Sequence, residues 1–310
     1  SPRVITTALL LGGAFLLVAP WMMYPVFLMK LLCFALLAGS LNLMIGYVGL
    51  LSFGHAMFFG SAAYAAAHSV KVWGWDPALG VLFGTAVAAA IGATTGLIAI
   101  RRAGIAFSMI TLACAQLIYF IALQAPFTGG EDGIQNVPRG KLLGLLDLSS
   151  NLTLYYVVMV VVVAAFWLIW RIVHSPFGQV LTAIRDNEPR AISLGYRVNG
   201  YKLLAFTLSA ALAGLAGSLK TIVFQIATLA DVGWGTSGEA LLMGIVGGLQ
   251  TMVGPVVGAI VVVTMQNSLS AFAESLLILQ GLVFVVVVLV FRRGIVGEIN
   301  AWLARRAASA

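Results

Sequence analysis

Charge is the scarcest commodity in this chain: Lys, Arg, Asp and Glu together make up 9% of the 310 residues. A soluble domain of this size carries about 25%. Mean hydropathy is +1.06 and 61% of residues are hydrophobic, so the shortage points to a polytopic membrane protein and excludes a soluble globular domain. Cysteine is almost missing as well. Cys33 and Cys114 both sit inside apolar runs, which suits buried free thiols better than a disulfide or a metal site. Only three histidines are present. His55 and His68 lack a second histidine at ligand spacing, so no metal is expected. No G-x-x-x-x-G-K-[ST] occurs, so this chain brings no ATP-binding loop of its own. H-E-x-x-H and G-x-S-x-G are likewise absent, and an intramembrane enzyme finds little support.

What is present is length of apolar chain. Apolar segments run over 4–20, 26–45, 50–70, 78–100, 104–124, 153–172, 201–224, 237–250, 254–272 and 276–291. Spans of about 20 residues cross a bilayer. The expected fold is therefore an all-α polytopic transmembrane bundle forming a single transmembrane domain over 1–310. It would have about eight full spans plus a re-entrant or broken helix pair near 237–272. No signal-peptide cleavage pattern follows the first apolar run. The formal charge of +7 is explained by topology and not by nucleic acid. One orientation puts twelve of the 17 basic residues on one side: Arg3, Arg101, Arg102, Arg171, Arg185, Arg190, Arg197, Lys202, Arg292, Arg293, Arg305 and Arg306. By the positive-inside rule that side is cytoplasmic, and both termini lie there. The loop at about 125–152 is then external, and 174–200 is cytoplasmic. The external loop, FTGGEDGIQNVPRGK, serves either as a connector or as a contact for something outside.

The polar interval 174–200 organises the rest. Arg185, Asp186, Asn187, Glu188 and Arg190 crowd together; Asp186 or Asn187 can cap a helix, and Pro189 suits its first turn. Gly195 is placed to end that helix at C′. So short a helix does not persist alone, and something must hold it. Joined to a membrane helix that starts near Tyr201, it makes a docking surface for a soluble partner, with small Ala191 expected at the closest approach.

Two stretches are glycine-rich beyond the needs of a plain span: Leu41 to Ala67, with Gly46, Gly49, Gly54 and Gly60, and Gly233 to Gly258, with Gly247 and Gly248. Such glycines let helices pack closely. Paired interruptions in the two halves of a transporter also mark broken helices along a pathway. On that reading Asn42, Gly46, Gly49, Ser52, His55, Glu239, Gly247 and Gly248 are candidate pathway residues. Intramembrane polar groups must face a partner helix or water. His55 reads best as a hydrogen bond across a helix contact. Glu239 suits the first turn of a helix capped by Ser237, or alternatively a coupling-ion site.

Several stretches together resemble one family. LNLMIGYVGLLSFGHAMFFGSAAY, TGGEDGIQNVPR, SPFGQVLTAIRDNEPRAISLGYRVNGYKLLAFTLSAALAGLAGSL, GTSGEALLMGIVGGLQTMVGPVVGA and FRRGIVGEI are similar to LivM-like permease subunits of ABC importers for branched-chain amino acids. The resemblance implies import of branched-chain or related neutral amino acids across the bacterial inner membrane. Related permeases serve amides, urea and aromatic acids. It also implies partners: a second, LivH-like permease subunit, two ATPase subunits that hold ATP and Mg, and a periplasmic substrate-binding protein. The chain itself would bind no cofactor. In this family the polar cytoplasmic loop plays the coupling role, with a general pattern E-A-A-x-x-x-G. Here Pro189-Arg190-Ala191 stands in place of E-A-A; only Ala191 and Gly195 match, and Glu188 lies one position early. An ion-coupled secondary transporter of small organic solutes remains an alternative, with Glu239 and Glu274 as its carboxylates, and so does a structural or sensory membrane protein.

Overall fold

A computed structural model describes residues 16–269 apart from 143 and 145, and a subset of 278–299. Glu274, the terminal arginines, and most of the expected spans 4–20 and 276–291 lie outside the described residues. Ten helices of six residues or more follow one another between residues 25 and 269. They are α1 (Pro25–Asn42), prolonged by a π-helical turn at Leu43–Val48, α2 (His55–Lys71), α3 (Pro77–Ala99), α4 (Ile105–Gln124) and α5 (Asn151–Val173). Then come α6 (Pro176–Asp186), α7 (Glu188–Ser193), α8 (Val198–Phe224), α9 (Trp234–Gly247) and α10 (Gly254–Leu269). The described β structure is one antiparallel pair, Lys141–Leu142 with Leu146–Asp147, in the loop before α5. The chain is an all-α polytopic bundle.

Local chemistry sets the helix starts. Proline opens α1, α3 and α6, where its missing N–H costs nothing. Asp76 caps α3 by accepting from Ala78 N at 2.9 Å, and Ser175 caps α6 by accepting from Gly178 N at 3.3 Å.

Among the described residues, five helices are long and apolar enough to cross a membrane: α1 with its extension, α3, α4, α5 and α8. The apolar window of α1 is 83% buried and that of α8 67%, against 22% for α3 and 28% for α4. The first two therefore form the centre, and α3 and α4 form an outer face. Small residues allow the close approach. A Cβ on Gly214 would meet Ala88 Cβ at 2.2 Å, and one on Gly217 would meet Phe59 O at 2.0 Å. Without a hydrophobic drive between helices in lipid, this backbone proximity is what holds α8 to α2 and α3.

Besides the polar α6 and α7, the helices α2, α9 and α10 are shorter than a hydrocarbon core of about 30 Å requires. After the π-helical turn, 49–54 has no regular structure, and α2 begins at His55 beside Ser209, near the middle of α8. The plain span expected at 50–70 is thus an extended entry followed by a helix that starts inside the bundle. The segment before α9 dips inward too: Val232 lies against Gly60, with its nitrogen 2.7 Å from where a Cβ would be. Helices α9 and α10 are joined by a turn at 248–253 and form the short pair expected near 237–272. They cross at contact distance, since a Cβ on Gly258 would fall 1.7 Å from Met243 O.

Candidate functional site

The polar interval folds as two helices, where the sequence pattern suggested one. Asn187 terminates α6 and caps α7, its side chain accepting from Arg190 N at 3.0 Å. Gly195 adopts φ +88° just past α7, the left-handed stop its position predicted. Ala191 departs from expectation. It is buried between Ile184 and Val198 of this chain, so its small size serves the packing of α7 on α6 and α8. The apolar side chains that α7 leaves uncovered are Ile192 and, just beyond it, Leu194, 57% and 70% exposed. Arg190 and Asp186 are exposed on the same segment.

Two charged residues fasten this helical pair to the bundle. Glu188 accepts from Lys202 Nζ at 2.7 Å, and the lysine side chain is almost fully buried. This bond joins α7 to the first turns of α8. Arg185 pairs with Asp186 at 2.9 Å and also donates to Gly46 O in the π-helical turn. Its aliphatic stem lies over Gly49, where φ is +79° and a Cβ would stand 2.7 Å from Arg185 Cγ. A side chain at 49 would displace the arginine.

From the same turn a second connection leads to the α9–α10 pair. Asn42, 3% exposed, donates to Thr251 O at 3.0 Å and accepts from Gln250 N at 3.1 Å. Gly46 leaves room for that exchange, because a Cβ there would lie 2.8 Å from Asn42 Oδ1. Gly248 opens the turn with φ +113°, and its carbonyl accepts from Thr251 Oγ1 at 2.8 Å. Arg185, Gly46, Gly49, Asn42 and Gly248 therefore sit together at one end of the bundle. Hydrogen bonds from α6 and from the α9–α10 turn thus converge on the end of α1 and its π-helical extension. The π-helical turn is the irregular element on which they bear, and such turns recur at functional positions.

Ser52 and His55 lie deeper and form a separate group. Ser52 Oγ accepts from Gly54 N at 3.2 Å. His55 is fully buried, with Nε2 2.8 Å from Ser209 Oγ, which itself donates to Ser40 O at 2.6 Å. A serine has one proton to give, so His55 Nε2 must be the donor and Nδ1 the bare nitrogen. Nδ1 has no hydrogen-bond partner among the described residues. The helix-crossing hydrogen bond expected for His55 is present. Ser237 Oγ accepts from Ala56 N at 2.8 Å, joining the start of α9 to the start of α2. In that role it does not cap its own helix, whose first residue is Trp234. Glu239 hydrogen-bonds Gln266 of α10. Gly247 is filled by the crossing of α9 and α10: a Cβ would meet Gly254 O at 1.7 Å. Its glycine is explained by packing.

The opposite end carries contacts that the pattern of residues did not reveal. Lys220 and Asp231 form a buried ion pair at 2.7 Å, with side chains 12% and 9% exposed. Arg139 clamps the long loop, donating to Asn151 Oδ1 and to Val223 O, each at 2.7 Å. Ile134 bridges Ala227.

Residues 24–291 match the family described as branched-chain amino acid transport system / permease component. The chain is 28% identical over 284 residues to the high-affinity branched-chain amino acid transport system permease protein LivM of Escherichia coli, covering 82% of this chain and 66% of that protein. LivM of Salmonella typhimurium is 28% identical over 284 residues, with the same coverage. The ribose import permease protein RbsC of Bacillus subtilis is 27% identical over 283 residues, 84% of this chain and 79% of that one. The matched region thus spans slightly less than two thirds of the LivM proteins. No solved structure matches. With a family match over most of its length and a helix bundle to go with it, the chain belongs to the permease-component family of branched-chain amino acid transport systems.

Proposed function

We propose that this chain is a permease subunit of an ATP-binding-cassette importer that moves branched-chain or related neutral amino acids into the cell. The observation that carries the mechanism is the double fastening of α6–α7. Glu188 ties α7 to α8 through Lys202, and Arg185 ties α6 to the π-helical turn. A push on the exposed Ile192 and Leu194 reaches two membrane elements at once. Closure of two separate ATPase subunits, which bind ATP and Mg, would supply that push. The helix pair would then tilt α8 and shift the α9–α10 turn through Asn42, switching a packed bundle between two arrangements. A LivH-like second permease and a periplasmic binding protein complete the assembly.

The name of the LivM relatives supports the amino-acid substrate. The arginine asymmetry supports an inner-membrane orientation with α6–α7 and both termini in the cytoplasm and the 125–152 loop outside. Arg139 and Lys71, on the outer side in this orientation, are both engaged with backbone carbonyls, Arg139 donating to Val223 O at the end of α8 at 2.7 Å and Lys71 to Gln135 O of the loop at 2.6 Å.

The test is affinity capture of the tagged chain from membranes, followed by an ATP-hydrolysis assay. Wild type should bring down an ATP-hydrolysing subunit, and Ile192→Asp should release it while the chain remains folded in the membrane. Capture of the same ATPase by Ile192→Asp and Leu194→Asp alike would contradict this docking surface.

A further inference from the structure

Lysine is costly inside a bilayer, and Lys30 stands in the first turns of α1, the most buried of the long apolar spans. Near a helix end such a side chain usually snorkels out to the interface, here marked by exposed Trp21 and Tyr24. Lys30 does not. Its Nζ lies 6.0 Å from the ring centroid of Phe34, one turn further into α1. The lysine makes no ion pair with any described residue. Its Nζ is not among the described polar atoms that are buried without a partner, so the ammonium reaches accessible space.

A carboxylate stands at the same level. Helices α1, α9 and α10 pack on one another, and the hydrogen bonds of Asn42 to Gln250 and Thr251 pin them at one end. At about 1.5 Å per residue, Lys30 lies about 18 Å along α1 from Asn42. Gln266 lies about 18 Å along α10 from its start at Gly254. Glu239 of α9 hydrogen-bonds this glutamine, and Lys30 is near enough to bear on it electrostatically. Yet Lys30 and Glu239 do not close into an ion pair, since those among the described residues are Arg185–Asp186, Lys202–Glu188 and Lys220–Asp231. Asp231 is thus already neutralised. Lys30 and Glu239 are left half-buried at one depth, neither touching an opposite charge.

We infer that Lys30 and Glu239 bind the two charged ends of an amino-acid zwitterion, Lys30 holding the α-carboxylate and Glu239, steadied by Gln266, the α-ammonium. The inference rests on the importer reading and names a solute site within it. Ionisable groups at membrane depth face a partner or a water-filled path. A solute with one charge of each sign compensates both groups. An acyl chain compensates neither, and a singly charged solute compensates only one. A closed Lys30–Glu239 pair would satisfy the protein by itself; held apart, the two groups gain most from a ligand that bridges them.

The test is equilibrium binding of radiolabelled leucine to the full chain, purified in nanodiscs with the subunits it captures and without binding protein. Wild type should bind leucine saturably. Leucinamide, which lacks the carboxylate, and isocaproate, which lacks the ammonium, should compete about tenfold more weakly than unlabelled leucine or valine. Lys30→Met and Glu239→Gln should each weaken leucine about tenfold, the loss of one charge-assisted hydrogen bond. Lys30→Arg keeps the charge and should retain most of the binding. No saturable binding by wild type, or equal binding by wild type, Lys30→Met and Glu239→Gln, would overturn the site. Equal competition by leucine, leucinamide and isocaproate would overturn it too. That competition is read on wild type, so it stands even where a variant fails to assemble. ATP-driven leucine uptake, measured in parallel, separates the two claims. Uptake without this binding strikes the site alone, and binding without ATP-driven uptake strikes the importer reading alone.

Discussion

Asp231 illustrates how much one side chain can hold. It receives Lys220 Nζ at 2.7 Å, Thr228 N at 3.0 Å and Thr228 Oγ1 at 2.9 Å, and so ties the segment entering α9 to α8. Removing one partner of a buried pair leaves the other charge uncompensated. Asp231→Ala should therefore cost about 3–5 kcal/mol of stability, readable as a drop in the thermal unfolding midpoint of the purified chain. Asn42→Ala strips partners from Gln250 N and Thr251 O, at about 1–3 kcal/mol for each group left unsatisfied. Uptake should fall while ATP hydrolysis by the assembled complex persists, because the break lies between α6 and the α9–α10 turn. Local roles such as the Asn187 cap and the Gly195 stop were legible in the sequence, since each is decided within one helical turn. The Asn42–Thr251 and Lys220–Asp231 contacts were not. The first joins residues 209 positions apart, and no spacing rule links them.

At the scale of elements, the α6–α7 pair converts an otherwise unstable short helix into a rigid unit. Ile184, Ala191 and Val198 form its own small core, and Lys202 anchors it. Gly195→Val would force a β-branched residue to φ +88°, at about 1–3 kcal/mol of strain. The expected outcome is a loosened α7–α8 connection, with hydrolysis continuing and uptake per ATP falling severalfold in a reconstituted complex. The same sequence stretch hid a helix. Ser175-Pro176 is a strong start signal, yet the surrounding charge makes 174–186 look like a loop. The late start of α2 was equally hidden, because the apolar run from Leu50 onward is continuous and only the inward course of 49–54 interrupts it. Gly46, Gly49, Gly247 and Gly258 were legible as interruptions, but which of them yields to a neighbour's backbone and which to Arg185 depends on packing across the bundle.

For the whole molecule, the composition alone fixed an all-α membrane bundle, and the segments that carry the family resemblance lie along nearly its full length. The proposed orientation is testable with single cysteines at Gly130 and Asn187 in a background lacking Cys33 and Cys114. An impermeant thiol reagent on intact spheroplasts should label position 130 and spare 187. The central claim is that ATP hydrolysed on partner subunits drives solute through this bundle. The most direct measurement is leucine accumulation in proteoliposomes that contain this chain with the proposed second permease, ATPase and binding-protein partners, with ATP and Mg supplied on the ATPase side. The account predicts accumulation that requires ATP hydrolysis and is indifferent to collapse of proton and sodium gradients. Accumulation by the chain without ATPase subunits, driven by either gradient, would contradict it.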